Sequence, residues 1–227
     1  MTTFDPDQIV ACPHCQALAR HKVLASGNTF GALTWTDGRQ IAPMLPELPG
    51  IVKCHACSEL YWLKNATKIG DVDSLTGPIP NFKGDWKKAP MIAEPEEADY
   101  YRALENGFVE NAEQERAVRM LAWWKRNDQF RDIDSEDFEA PPTQARPMPF
   151  TLSADGRKNL EALFPLLTKD NNNDRIMRAE ILRQLGEFDF AKLTLDQVTD
   201  PELAGVVAQI RKLCDNHEID LQVLWFG

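Results

Sequence analysis

Cys12-Pro13-His14-Cys15 and Cys54-His55-Ala56-Cys57 are two Cys-x-x-Cys pairs in a chain whose fifth cysteine, Cys214, stands alone. Thiolate is a soft ligand, and a Cys-x-x-Cys turn can aim both of its sulfurs at one ion. Two such turns supply four thiolates, which close a tetrahedral shell and leave no position open for water or substrate. The chemistry expected of Cys12, Cys15, Cys54 and Cys57 is therefore the binding of one structural Zn2+. Disulfide pairing is the weaker reading, because the first residues lack the basic-then-apolar layout of a secretory leader. A thioredoxin-type redox pair calls for a strand–helix–strand context that the flanking residues do not offer. His14 and His55 lie inside the turns and are expected to point away from the ion.

Other constellations fail on residue type. Asp170-Asn171-Asn172-Asn173-Asp174 imitates a calcium loop, but Arg175 stands where glycine is needed and Ile181 where a bidentate glutamate is needed. Cys214 and His217 are three apart near the end of a helical pattern, where a buried thiol and a dipole-facing histidine are the simpler account. There is no phosphate-binding glycine loop, no His-Glu-x-x-His and no Gly-x-Ser-x-Gly. The four histidines, two of them inside the cysteine turns, leave few players for acid–base chemistry. The chain is thus expected not to be an enzyme.

The elements that must position the cysteines are short and extended. Between Cys15 and Cys54 lie 38 residues. His21–Ala25 and Ala32–Trp35 read as strands, Ser26–Thr29 as turn material, and Asp37-Gly38 as a hairpin signal. Pro43, Pro46 and Pro49 make an extended excursion, and Leu60–Leu63 reads as a final strand. With its four cysteines, the stretch over residues 10–68 resembles a zinc ribbon with an enlarged hairpin. That resemblance implies a four-cysteine structural zinc site on a small β module. Loss of one ligand is expected to unfold residues 10–68 and to leave the helical part standing.

Seven glycines and prolines between Gly70 and Pro95 preclude a long helix there. Beyond it the pattern turns helical. Asn111 is placed to cap a helix carrying Val118, Leu121, Trp123 and Trp124, and Ser153 to cap another through Leu160 and Leu163. Further helical patterns carry Ile176, Ala179 and Ile181, then Phe188, Ala191 and Leu195, then Val206, Ile210 and Leu213. Near residues 172–200, Ala179, Gly186, Phe188 and Ala191 give the chain a local resemblance to a tetratricopeptide-repeat helical hairpin. The family's Trp-x-x-Leu-Gly opening is replaced, with Arg175 and Arg178 in those places. The expected fold class is α+β: a zinc ribbon over 1–70, a Pro/Gly-rich connector over 71–95, and an acidic helical domain over 96–227. That last domain contains a long acidic and proline-rich loop over 131–152 and a repeat-like part over 153–227.

Charge narrows the partners. The chain has 25 Lys+Arg against 35 Asp+Glu, a net charge of −10, and 43% hydrophobic residues, an ordinary globular composition. Residues 1–70 balance at +1, with 6 basic and 5 acidic groups, so the acid lies in the rest of the chain. Nucleic acid is not expected as a partner; nor is a membrane, since no apolar run approaches the roughly 18 residues a span needs. A cytoplasmic protein that binds another protein, and a basic one, fits best. Asp134, Glu136, Asp137 and Glu139 in the acidic loop, with Trp123 and Trp124, are the candidate partner-binding residues. An acidic inhibitor or immunity protein neutralising a basic enzyme or toxin is one alternative. A transcription-type zinc ribbon binding nucleic acid through Arg20, Lys22, Arg39 and Lys53 is the other.

Overall fold

The computed structural model describes residues 2–72, 84–131 and 150–225. The fold is α+β, with strands early and helices late. The chain divides into two compact units, Met1–Ala32 with Ile41–Asp99, and Leu33–Gln40 with Tyr100–Gly227.

The first unit is built on strands β1 (Thr3–Ala11), β2 (Leu18–Ser26) and β7 (Thr67–Val72), an antiparallel sheet in the order β2-β1-β7. Pro6, which has no N–H to give to a ladder, sits where the β1–β2 register slips between Asp5 and Gln8. Past the slip Ile9, Val10 and Ala11 are buried. Ile9 packs with Val72 and with Trp86, which comes from a 3-10 turn at Gly84–Lys88. Gly70 makes room for that indole, since a Cβ there would fall 2.4 Å from its ring. The C-terminal part of the expected connector is therefore built into this unit. Arg20 donates its N–H to the Pro90 carbonyl and accepts from Ile92 N–H, both at 2.8 Å, and Lys53 N–H donates to Ala93. A second ribbon pairs β5 (Ile51–Lys53) with β6 (Leu60–Trp62), Val52 opposite Tyr61.

The second unit contains β3 (Leu33–Trp35), paired in the order β4-β3-β8 with β4 (Gln40–Ile41) and with β8 (Val223–Leu224). Its helices are α1 (Glu97–Glu105), which begins at the boundary, then α2 (Ala112–Asn127), α3 (Ala154–Leu163), α4 (Asn172–Gln184), α5 (Phe188–Leu195) and α6 (Ala204–Asp215). Asn111 and Ser153 cap α2 and α3 as the sequence suggests, accepting from Gln114 N–H at 2.9 Å and Gly156 N–H at 3.0 Å. Asn171 caps α4, so the would-be calcium loop is a helix start; its Asp174 pairs with Arg116 at 2.6 Å. α4 and α5 form a helical hairpin turned at Gly186, φ 86°, where Ala179 and Ala191, both fully buried, let the helices approach.

One sequence expectation is corrected here. The hairpin around Asp37-Gly38 does not enlarge the cysteine-bearing module; residues 33–40 belong to the helical unit. The reason is electrostatic as well as topological. Asp37 is fully buried and holds the equally buried guanidinium of Arg131, with Asn127 Nδ2 donating to it at 2.8 Å. β3 moreover finds its partner in β8, Trp35 lying opposite Val223.

Candidate metal centre

Each Cys-x-x-Cys turn sits at the tip of an antiparallel hairpin. β1 leads into the first and β2 leaves it, with Ala11 opposite Leu18; β5 and β6 do the same for the second, with Lys53 opposite Leu60. The two turns repeat one another bond for bond. Cys12 N–H donates to Ala17 O at 2.9 Å and Gln16 N–H to Cys12 O at 2.9 Å; Cys54 N–H donates to Glu59 O at 3.0 Å and Ser58 N–H to Cys54 O at 2.9 Å. Gln16 and Ser58, the residues just after each pair, are both left-handed, at φ 64° and 63°. That conformation bends each chain sharply back into its second strand and turns both sulfurs to one side.

The four sulfurs lie within 4.8 Å of one another, with Cys15 and Cys54 Sγ 3.6 Å apart and Cys12 and Cys57 Sγ 3.9 Å apart. A tetrahedron with metal–sulfur bonds of about 2.3 Å has sulfurs about 3.8 Å apart, so the donor set fits a metal of that kind. The residues beneath are apolar: Val52, Tyr61, Leu63, Ala66 and Ile92 pack against the cysteines. Among the described residues this is the one group of three or more His, Cys, Asp or Glu able to hold a metal.

The electrostatics show what a cation there would relieve. Burial acts to raise the Cys54 thiol, but N–H groups of Cys57 and Ala56 outweigh it and bring it down to about 7. Cys57 goes the other way: the Glu59 N–H pulls it down, yet burial and the neighbouring thiols Cys54, Cys15 and Cys12 push it up to about 12. Burial raises Cys12 as well. Four thiolates do not ionise together without a positive charge among them, and a dication supplies it.

His14 faces outward, its Nε2 3.1 Å from Leu60 O, and His55 is exposed; neither ring joins the sulfurs. Cys214 lies fully buried in the α4–α6 core, where burial raises its thiol. His217 packs edge-on against Phe188, at the end of α6. Trp123 is 2% exposed, and its indole N–H donates to Gln184 Oε1 at 2.9 Å within the core of Leu160, Leu163, Leu167 and Ile181. The expectation of Trp123 as a partner-binding residue is corrected on that ground, since the ring is already enclosed. Trp124 is half-buried and donates to Asp37 O at 3.0 Å. Asp134, Glu136, Asp137 and Glu139 lie outside the described residues. Of the four cations considered for nucleic acid, Arg20 pairs with Asp7, Arg39 with Asp128 and Lys53 with Asp99, while Lys22 lies over the Phe4 ring.

Sequence reasoning missed two classes of residue. Gln16 and Ser58 could have been found, because each follows the second cysteine of its pair. Asp37 reads as a turn residue and gives no sign that it is buried. No helix among the described residues is long and apolar enough to cross a membrane. No protein-family model matches this chain, and neither a curated protein nor a solved structure matches it.

Proposed function

We propose that this protein is a non-catalytic, protein-binding module whose first unit is a zinc-ribbon-like fold held by one structural Zn2+. The observation that carries the reading is the four-sulfur cluster itself, built by two turns of identical hydrogen bonding. Zinc suits it because four thiolates in a tetrahedron satisfy an ion with no geometric preference of its own. All four positions are protein sulfurs, which makes the ion a staple and not a reaction centre. The protein-binding half draws support from the helical unit, where Phe190, Leu193 and Trp225 are exposed apolar residues. The acidic balance of residues 71–227 favours a basic partner, and the carboxylate pairing of Arg20, Arg39 and Lys53 speaks against nucleic acid.

Elemental analysis of reduced, purified protein should find about one zinc per chain, and Cys54→Ser should abolish it. Metal-free protein, or ready alkylation of all five thiols under native conditions, overturns the zinc reading. The binding half is read from salt: association with a basic protein partner should slow as ionic strength rises. Salt-independent association would refute the electrostatic part of the proposal.

A further inference from the structure

We propose that the four-cysteine centre is also a hydroperoxide-responsive switch, in which oxidation joins Cys15 to Cys54 across the two knuckles and expels the metal. The inference rests on the zinc reading above. Its basis is an asymmetry among sulfurs of one cluster. Cys12 and Cys54 are buried, Cys57 is half-buried, and Cys15 alone is exposed. A ligand whose only role is structural is best kept from solvent oxidants, yet Cys15 is presented to them. Buried Cys54 lies 3.6 Å from it. A disulfide needs about 2.05 Å, so roughly 1.5 Å of closure joins the two without moving either hairpin far. Cys12 and Cys57 form a second cross-knuckle pair at 3.9 Å, again one sheltered sulfur and one more accessible. Buried in the helical core, Cys214 has no part in this.

The electrons balance with a hydroperoxide as oxidant. The Cys15 thiolate attacks the outer peroxide oxygen and the O–O bond breaks; with hydrogen peroxide the hydroxide that departs takes a solvent proton and becomes water. Cys15 is then a sulfenic acid. The Cys54 thiolate attacks that sulfur, the S–O bond breaks, and a second hydroxide leaves and is protonated. Two thiolates, one hydrogen peroxide and two protons have become one disulfide and two waters. Zinc keeps its oxidation state, loses two of its four ligands and departs. The disulfide closes the same loop between Cys15 and Cys54 that the metal had closed. The oxidised module is thereby kept tethered, and a thiol reductant with fresh zinc can restore it.

The test uses the full-length wild-type chain, whose zinc content is measured first. Hydrogen peroxide is then titrated in, with a chromogenic chelator reporting released zinc and non-reducing peptide mapping reporting the linkage. The expected result is about one zinc lost per peroxide consumed, a dominant Cys15–Cys54 peptide at low dose, and recovery of bound zinc after reduction. Zinc-free starting protein sinks the metal reading, and this proposal with it, before any peroxide is added. Zinc-loaded protein sinks the switch alone if it retains its metal in hundredfold peroxide excess. It does so equally if it yields Cys12–Cys15 or Cys54–Cys57 linkages, or ends as sulfinic acid without a disulfide.

Discussion

Protons and a metal compete for the same four sulfurs, and the competition has a definite sign. Cys57 is held at about 12 and Cys12 above its ordinary value, so near neutral pH both carry protons that a metal must displace. Each displaced proton makes apparent affinity fall about tenfold for every unit that pH drops. These two thiols alone predict a loss of at least about a hundredfold per unit between pH 9 and 7, and Cys54, at about 7, steepens the loss below that. Chelator competition at several pH values measures the slope, and a flat line would mean that these thiols are not the ligands. A different electrostatic object governs the second unit. Asp37 and Arg131 are a fully buried ion pair, so Asp37→Ala leaves the guanidinium with Asp128, 2.9 Å from its Nε, as its remaining carboxylate partner. The cost in urea denaturation of the full chain is at most the roughly 3–5 kcal/mol of a fully orphaned buried charge, since Asp128 offsets part of it. Replacing both partners by apolar residues should recover much of that loss. If Asp37→Ala alone costs under about 1 kcal/mol, the pair is not closed to water as described.

Each cysteine turn is an element in which one residue adopts a conformation that glycine would take more readily. Gln16 and Ser58 are left-handed, and a side chain there costs about 1 kcal/mol. Gln16→Gly and Ser58→Gly should therefore each stabilise the metal-loaded protein by a few tenths to about 1 kcal/mol, read as a higher thermal midpoint, while Gln16→Val lowers it. A lower midpoint for both glycine variants would show that the turns depend on those side chains. At this scale the sequence was informative where chemistry is local. The Cys-x-x-Cys spacing, the caps Asn111 and Ser153, and the turn at Gly186 all act within a few residues, and all stand where their local signals point. What could not be read was long-range. Leu33–Trp35 has the pattern of any short strand, and nothing near it names Val223 and Leu224 as its partners. α4 holds a related case. Its Glu180, Arg183 and Gln184 look like a solvated face, yet all three are buried, with Arg183 holding Glu180 at 2.8 Å and Gln184 receiving the Trp123 indole. Besides its helical neighbour Glu180, Arg183 donates to Glu218 O and Asp220 O, so the burial of these groups depends on partners far off in the chain that the helical period does not report.

For the molecule as a whole, the consequential fact is that residues 33–40 lie between the two cysteine pairs yet belong to the helical unit. A metal bridging Cys15 and Cys54 closes a loop of about 40 residues, worth about 4 kcal/mol in chain entropy, and that loop carries the β3–β4 hairpin. The sequence suggested that the helical part would be untouched by metal loss; the threading predicts otherwise. Chelation should lower the urea midpoint of the helical far-ultraviolet circular dichroism signal as well as that of the β module. An unchanged helical midpoint would show that the hairpin holds its place without the closed loop. The pairing of Trp35 with Val223 also sets a timetable at the ribosome. The two strands are 188 residues apart in sequence. At about 5–20 residues per second, the hairpin waits roughly 10–40 s for β8 to be made. Within that interval both cysteine pairs are made, and the nascent chain carries β3 paired with β4 alone, its β8 edge open, inside a loop that a bound metal would close. Metal taken up during translation would then decide whether that open edge waits for β8 inside a closed loop or on a free chain.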